Sequence, residues 1–328
     1  MPAKTPAPGP GRERHVDPNQ TTDPARPSLR RSWPWWLVVA VALMELVGHG
    51  LIQARVPEPS DWEHAAALVD EHFQPGDTLA VGPDWADPLL RLHFGEHIGL
   101  ADAGKSDLAP FERLWEVSLR GVASPWRPVD MDPAFEERVG RLTVRRFDLG
   151  PSPVRYDLTA HVRDAKVFQG ERPCDWRTSP PTGGGLGRGP LMPKGRHHCG
   201  PQPWLFVGET VNEDLELQPR HCVWQHPVAG MPVRTTYEDI PLGDRLVLYA
   251  GLYSEHERME EHPPVQVRVE VDGEPVGQMT HRDGDGWKRI EAAMPERERG
   301  DVSIVVEAAE PHLRTLCWAA TTRAGERR

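Results

Sequence analysis

PVQVRVEVDGEPVGQM, residues 264–279, decides how the C-terminal half of this chain folds. Val265, Val267, Val269 and Val271 take alternate positions, with Gln266, Arg268 and Glu270 between them. A strand turns successive side chains to opposite faces, so this period of two describes a strand with one apolar and one wetted face. Asp272-Gly273 then supplies the residue pair that a tight hairpin turn prefers. DVSIVVEAA, from residue 301, repeats the pattern with Val302, Ile304 and Val306. Around these two lie WLFVGE, HCVWQ, VRTTYEDI, RLVLYAGLY, WKRIEAAM and TLCWAATT, separated by turn residues. About eight strands with one-sided alternation predict a jelly-roll-like antiparallel β-sandwich over residues 203–323.

Upstream the period changes. Between residues 58 and 150, Ser60-Asp61-Trp62-Glu63 has the spacing of a capping box, and Trp62, Ala66, Val69 and Phe73 recur at helical intervals. TLAVGP reads as a short buried strand, and Asp87-Pro88 opens a second helix through Leu89, Leu90 and Leu92. RLWEVSLRG and LTVRRFDL are further strands, with PAFEERVG expected as a helix between them. The segment is therefore expected to be a small α/β, Rossmann-like domain, which makes the whole chain a multidomain α+β protein.

The run DWEHAAALVDEHFQPGDTLAVGPDWADPLLR, followed by FERLWEVSLRG and RVGRLTVRRFDL, resembles the soluble C-terminal portion of multi-span, lipid-linked-sugar glycosyltransferases of the mannosyltransferase type. In that family the catalytic acid lies in a loop of the multi-span domain, which has no counterpart here. What the resemblance implies is a relation to envelope sugar chemistry, as an accessory subunit of an integral-membrane glycosyltransferase rather than as a transferase.

Residues 1–32 are rich in Pro, Arg and Thr, carry six basic residues against three acidic ones, and are expected to be a disordered cytoplasmic tail. WPWWLVVAVALMELVGHGLIQA, residues 33–54, just reaches the length that crosses a bilayer, and its tryptophans suit the headgroup level. Arg30 and Arg31 on one side and Arg55 on the other keep the N-terminus cytoplasmic. A cleaved signal peptide is the competing reading, but no Ala-x-Ala site follows the run. Glu45 and His49, four apart, share one helical face and are the candidate partner-binding pair. The plainer reading is a weakly hydrophobic anchor in the lipid bilayer.

All four cysteines, Cys174, Cys199, Cys222 and Cys317, fall in the part expected to be exported, and an even count there suits disulfides. Residues 151–202 read as a Pro/Gly-rich linker with a loop stapled by Cys174 and Cys199. Cys222 and Cys317 lie in the early and last strands of the sandwich, so they are expected to pair. The glycines of GGGLGRG have no strand before them and no helix after them, which removes the phosphate-cradle reading. His197-His198-Cys199 and His221-Cys222 lack the spacing of a zinc site.

A net charge of −11 argues against nucleic acid as partner. No GxSxG elbow is found, no cofactor motif stands out, and His93 and His97 have no acidic companion in a metal pattern. Asp77, Asp84 and Asp87 cluster near the end of the first strand and would carry the chemistry if the chain were an unrecognised enzyme. They are also ordinary turn and helix-start residues, and we read the chain as non-catalytic.

The order PLGDRLVLYAGL…VDGEPVG…DGDGWKR…CWAA resembles a carbohydrate-binding module. The resemblance implies a glycan ligand. Candidate contacts are Trp287 with Asp283 and Asp285, and Tyr249 and Tyr253 with the acidic loop that follows. The alternative, which we prefer, is that the Asp-Gly pairs make turns and Trp287 packs in the core. Together these readings describe a single-pass envelope protein, periplasmic in a Gram-negative cell, whose sandwich binds a glycan or a protein partner.

Overall fold

The computed structural model describes residues 33–180, 182–183, 191–259 and 262–325; the expected tail and most of the glycine run lie outside them. The chain divides into two compact units, Met1–Val56 and Pro57–Arg328. The first contains α1 (Trp33–Gln53), within which Trp35–Gln53 is long and apolar enough to cross a membrane. At 1.5 Å per residue its 21 residues extend about 31 Å. Gln53 Nε2 meets His49 Nε2 one turn away (3.4 Å), and Glu45 is exposed.

The second unit begins with α2 (Pro59–His72), β1 (Asp77–Gly82), α3 (Asp87–Phe94), α4 (Leu100–Ala103), β2 (Arg113–Leu119), β3 (Phe135–Val139) and β4 (Leu142–Asp148). The capping box is shifted from the expected one. Pro59 takes the first helical turn, Glu58 is the cap, and the Asp61 carboxylate accepts the Glu58 N–H (3.0 Å). PAFEERVG is not a helix. It forms β3, a largely exposed edge strand whose Phe135 packs beside Trp115 and whose Glu136 pairs with Arg145 of β4 (2.5 Å). Its charges face solvent and its single aromatic supplies no helical stripe to bury. The sheet order is β1-β2-β4-β3, with β1 and β2 parallel and the other two pairs antiparallel. This is a small mixed sheet with one parallel pair out of three, where the expected Rossmann-like arrangement would be mostly parallel. Trp62, Val69, Leu90 and Phe94 of the helices bury against Leu79, Val81, Trp115 and Val144 of the strands.

Residues 151–202 were expected to be a linker, but they contribute to the sandwich: β5 (Val154–Asp157), β6 (Lys166–Gln169), β7 (Arg172–Pro173), β8 (Asp175–Thr178) and β11 (Gly195–His198) join its sheets, and β9 (Thr182–Gly183) pairs with β10 (Leu191–Met192). Strands of two to four residues broken by prolines are too short for alternation to show. Then follow β12 (Phe206–Glu213), β13 (Pro219–Gln225), β14 (Val233–Pro241), β15 (Arg245–Leu252), α5 (Ser254–Glu257), β16 (Val265–Val271), β17 (Glu274–His281), β18 (Lys288–Ala293), β19 (Arg299–Ala308) and β20 (Leu316–Arg323).

One sheet runs β18-β15-β20-β13-β12-β11-β8 with β5 also on β20; the other runs β17-β16-β19-β14-β6-β7. Every strand pairing within them is antiparallel. Val265, Val267, Val269, Val271, Val302, Ile304 and Val306 are buried between the sheets with Leu246, Leu248 and Trp318. Asp272 and Gly273 both take positive φ (48° and 85°), the requirement of a type I′ hairpin turn. Val223 and Trp318 point into this core. Cys222, Trp224 and Cys317, one position away, therefore lie on the opposite, outer face of their sheet, where they cluster with Phe206. Cys222 and Cys317 form a disulfide between the neighbouring strands β13 and β20, and Cys174 and Cys199 form the second.

Candidate functional site

Most of the residues singled out in the sequence are engaged by partners within the protein, some buried and some, such as Asp84 and Asp285, at its surface. Asp77 is buried and accepts from Arg113 Nε and Nη2 (both 2.6 Å) and from Trp115 Nε1 (2.8 Å), so it clamps β1 to β2. Asp87 pairs with Arg91 one turn along α3 (2.5 Å), and Asp84 accepts from Gln218 Nε2 (3.4 Å). The three carboxylates have separate partners and do not form a catalytic cluster. His93 stacks on Trp62 and His97 bonds Asp70 (3.1 Å), so that pair does not converge either. Among the described residues no group of three or more His, Cys, Asp or Glu side chains could hold a metal ion.

Trp287 is half-buried and sits where the mixed-sheet segment meets the sandwich. Its Nε1 donates to Ser106 Oγ (3.0 Å), its ring lies against Gly251, and the Arg220 guanidinium approaches it at 5.8 Å. Tyr249, stacked parallel to it, donates to Asp107 Oδ2 (2.9 Å), which also receives Arg323 Nη2 (2.7 Å). Burial pushes the Tyr249 hydroxyl up to about 12. Lys105, beside these residues in the chain, gives its amine to the carbonyls of Leu79 (2.8 Å) and Asp102 (3.0 Å), and burial lowers it to about 8. A cavity of only about 70 Å³ remains between the two parts. Asp283 makes an ion pair with the fully buried Arg314 (2.7 Å), and Asp285 accepts from the Arg282 N–H and from Lys288 (both 3.0 Å). Tyr253, buried, packs edge-on to His256. Trp287 and Tyr249 thus build a junction, while the aspartates shape and pin a loop.

The open surface lies elsewhere, around Trp204. This residue is 48% exposed and separates two adjoining grooves of about 450 and 370 Å³, which share Trp204, His226 and Pro311. The larger is completed by Trp224, His256, His312, Leu313 and Thr315; the smaller includes Gln169, Arg172 and Gln202. The loop that presents Trp204 is held at several points. Cys199 ties its start to Cys174, Trp224 Nε1 donates to the Trp204 carbonyl (3.0 Å), and the Cys199 N–H donates to the Leu205 carbonyl (3.1 Å). Phe206 stacks on Trp224 beneath it, with ring centroids 5.3 Å apart. Gly200 packs closely under the Leu205 side chain, whose Cδ2 would lie 2.7 Å from a β-carbon placed there.

Polar groups line the same surface. His226 Nδ1 donates to the Pro227 carbonyl (2.8 Å), leaving Nε2 as an acceptor. His256 Nδ1 shares a hydrogen bond with Thr315 Oγ1 (2.9 Å). Burial holds both imidazoles below their ordinary value, so they are neutral at neutral pH. An exposed indole flanked by neutral imidazoles and amides can stack on a flat apolar face and exchange hydrogen bonds with hydroxyls. Sequence reading placed Trp204 inside a strand, WLFVGE, and so missed it. The available signal was its setting in GPQPW, a Pro/Gly turn just after a bridged cysteine.

No family model and no curated protein matches the chain. Among solved structures it is similar to the CBM51-2 and INT domains of ZmpB from Clostridium perfringens, in complex with GlcNAc, at 16% identity over 36% of this chain and 25% of that one, with a TM-score of 0.29. It is similar to a CBM51 from a Clostridium perfringens GH95 protein in complex with methyl-galactose, at 12% identity over 35% of this chain and 81% of that one, with a TM-score of 0.27. A third is the pair of tandem CBM51 modules of a family 98 glycoside hydrolase from Streptococcus pneumoniae, at 10% identity over 40% of this chain and 45% of that one, with a TM-score of 0.28. The chain spans about a quarter of the length of the first of these.

Proposed function

We propose that this is an exported, membrane-anchored protein whose β-sandwich binds a glycan in the groove that Trp204 divides. The carrying observation is Trp204 itself: a large indole, half exposed, fixed by a disulfide and by an indole hydrogen bond, with polar side chains on both sides. A rigidly held indole between two grooves offers a flat face on which a sugar ring can stack at little cost in ordering. We read the strand order β13-β20-β15-β18 facing β14-β19-β16-β17 as a jelly roll. The protein acts by binding, with no catalytic step.

A glycan array with the full-length protein in detergent tests this. Trp204→Ala should weaken the best hit on the order of 30-fold, the usual loss of a central aromatic contact, with an unchanged circular dichroism spectrum. Trp287→Ala should lower the melting temperature and leave the affinity of the folded protein unchanged. The reverse pattern, binding lost with Trp287 and kept without Trp204, would move the site back to the junction.

A further inference from the structure

We infer that the Trp204 groove takes an acidic saccharide chain, with at least one residue on each side of the indole and an anionic group beside Arg172. This deepens the glycan-binding reading and rests on it.

Charge carries the inference first. The protein bears a net charge of −11, with 49 acidic against 38 basic residues, so a stretch of surface without carboxylates stands out. Among the described residues lining the two grooves there is no aspartate or glutamate. The one permanently charged group there is Arg172, on the rim of the smaller groove. Elsewhere on the sandwich Arg289 pairs with Glu291, Arg297 with Asp272 and Arg299 with Asp239, whereas Arg155, Arg163 and Arg282, like Arg172, are exposed without an ion pair among the described residues. Of these four only Arg172 lines the two grooves. A guanidinium presents a planar fork of donors that matches a carboxylate or a sulfate oxygen pair, so it is suited to an anion brought by the ligand. Three carboxylates neighbour the lining without joining it: Glu255, whose charge acts on His256, and the exposed Glu171 and Glu310, next in the chain to Arg172 and Pro311. Asp283 is occupied by the buried Arg314.

Shape carries the second half. Two grooves that adjoin through Trp204, His226 and Pro311 make a track past one indole, not a cup for a single ring. The smaller groove offers Gln169, Gln202 and Arg172; the larger offers Trp224 and three imidazoles. A chain whose central ring lies on Trp204 therefore places one neighbour among the amides and the guanidinium and the other among the histidines.

Matched saccharide pairs decide it, with the full-length protein in detergent: tetragalacturonate against its methyl ester, sialyllactose against lactose, and a sulfated against an unsulfated disaccharide repeat. At low salt the acidic member of at least one pair should bind about tenfold or more tightly, a preference that shrinks as salt is raised. Arg172→Gln, an exposed position, should remove that preference, and Trp204→Ala should weaken the acidic ligand as well. Equal or tighter binding of the neutral member in every pair would overturn this inference while leaving the glycan-binding reading standing. A preference that survives Arg172→Gln would overturn the placement of the anion. No binding of any saccharide by the folded protein would overturn both readings.

Discussion

Glu257 shows how much one buried group can set the pH response of this protein. Its side chain sits on α5 behind the loop of Asp283 and Asp285, where Oε1 accepts the Gly286 N–H (2.7 Å) and Oε2 is buried without a partner. Burial first, and then the neighbouring carboxylates of Asp283, Asp285 and Glu216, push it up to about 7. A carboxyl whose folded-state value lies above its unfolded value of 4.5 holds its proton more tightly in the native state. Its contribution is intact below about pH 4.5 and is lost as the pH rises toward 7. Glu257→Gln keeps an acceptor for Gly286 and removes the ionisation. It should raise stability by roughly 2–3 kcal/mol at pH 8, with most of that gain gone at pH 4.5. Urea denaturation of both proteins at the two pH values measures this. The buried His226 and His281, held low by burial, act in the opposite sense, but they titrate alike in both proteins and cancel in the difference. An equal gain at both pH values would mean that packing, not charge, is responsible.

Among the elements, what could be read in the sequence followed local periodicity. The hairpin of β16 and β17 was legible because four valines at alternate positions and an Asp-Gly pair with two positive φ values agree with each other. The early and late strands that share Cys222 and Cys317 were legible for the same reason. β3 was not, because its five residues hold one aromatic and mostly exposed charges, and its pairing with β4 is tertiary information. The short strands β5 to β8 and β11 escaped because neighbours from distant parts of the chain define them. The Trp204 loop was hidden by its apolar continuation into β12, so a surface aromatic read as core. The two disulfides also differ in what they hold. By loop entropy the Cys222–Cys317 bridge, over a separation of 95 residues, is worth about 4.7 kcal/mol, and Cys174–Cys199, over 25, about 3.5 kcal/mol. Replacing Cys222 and Cys317 by alanine should therefore lower the unfolding free energy more than replacing Cys174 and Cys199. Glycan affinity should show the opposite order, because only the second bridge pins the loop that carries Trp204. Denaturant titration and binding measured on the two double variants check both halves, and a shared order would detach the loop from the site.

At the scale of the whole molecule, the second unit behaves as one body because residues 104–107 are fastened to the outer face of the larger sheet. Gly104 accepts the His221 N–H (2.8 Å) through its carbonyl, and a β-carbon on it would lie 2.2 Å from that same nitrogen. Ser106 and Asp107 receive Trp287, Tyr249 and Arg323 as described. The proposed glycan site at the Trp204 end lies apart from this fastening, and the proposal requires that end to be outside the cytoplasm. Two observations argue for export: all four cysteines are in disulfides, which persist in an oxidising compartment, and α1 is long and apolar enough to cross a membrane, with arginines concentrated before it. An oxidation-dependent phosphatase fused at the C-terminus should therefore be active, and a fluorescent protein that matures only in the cytoplasm should stay dark in the same position. Both cysteine pairs should resist alkylation until reduced. A bright fluorescent fusion with alkylatable thiols would reverse the topology. The same preparation separates anchor from leader: an intact mass that includes α1 in carbonate-washed membranes identifies a retained span, whereas a soluble, α1-less product would leave export standing and remove the anchor.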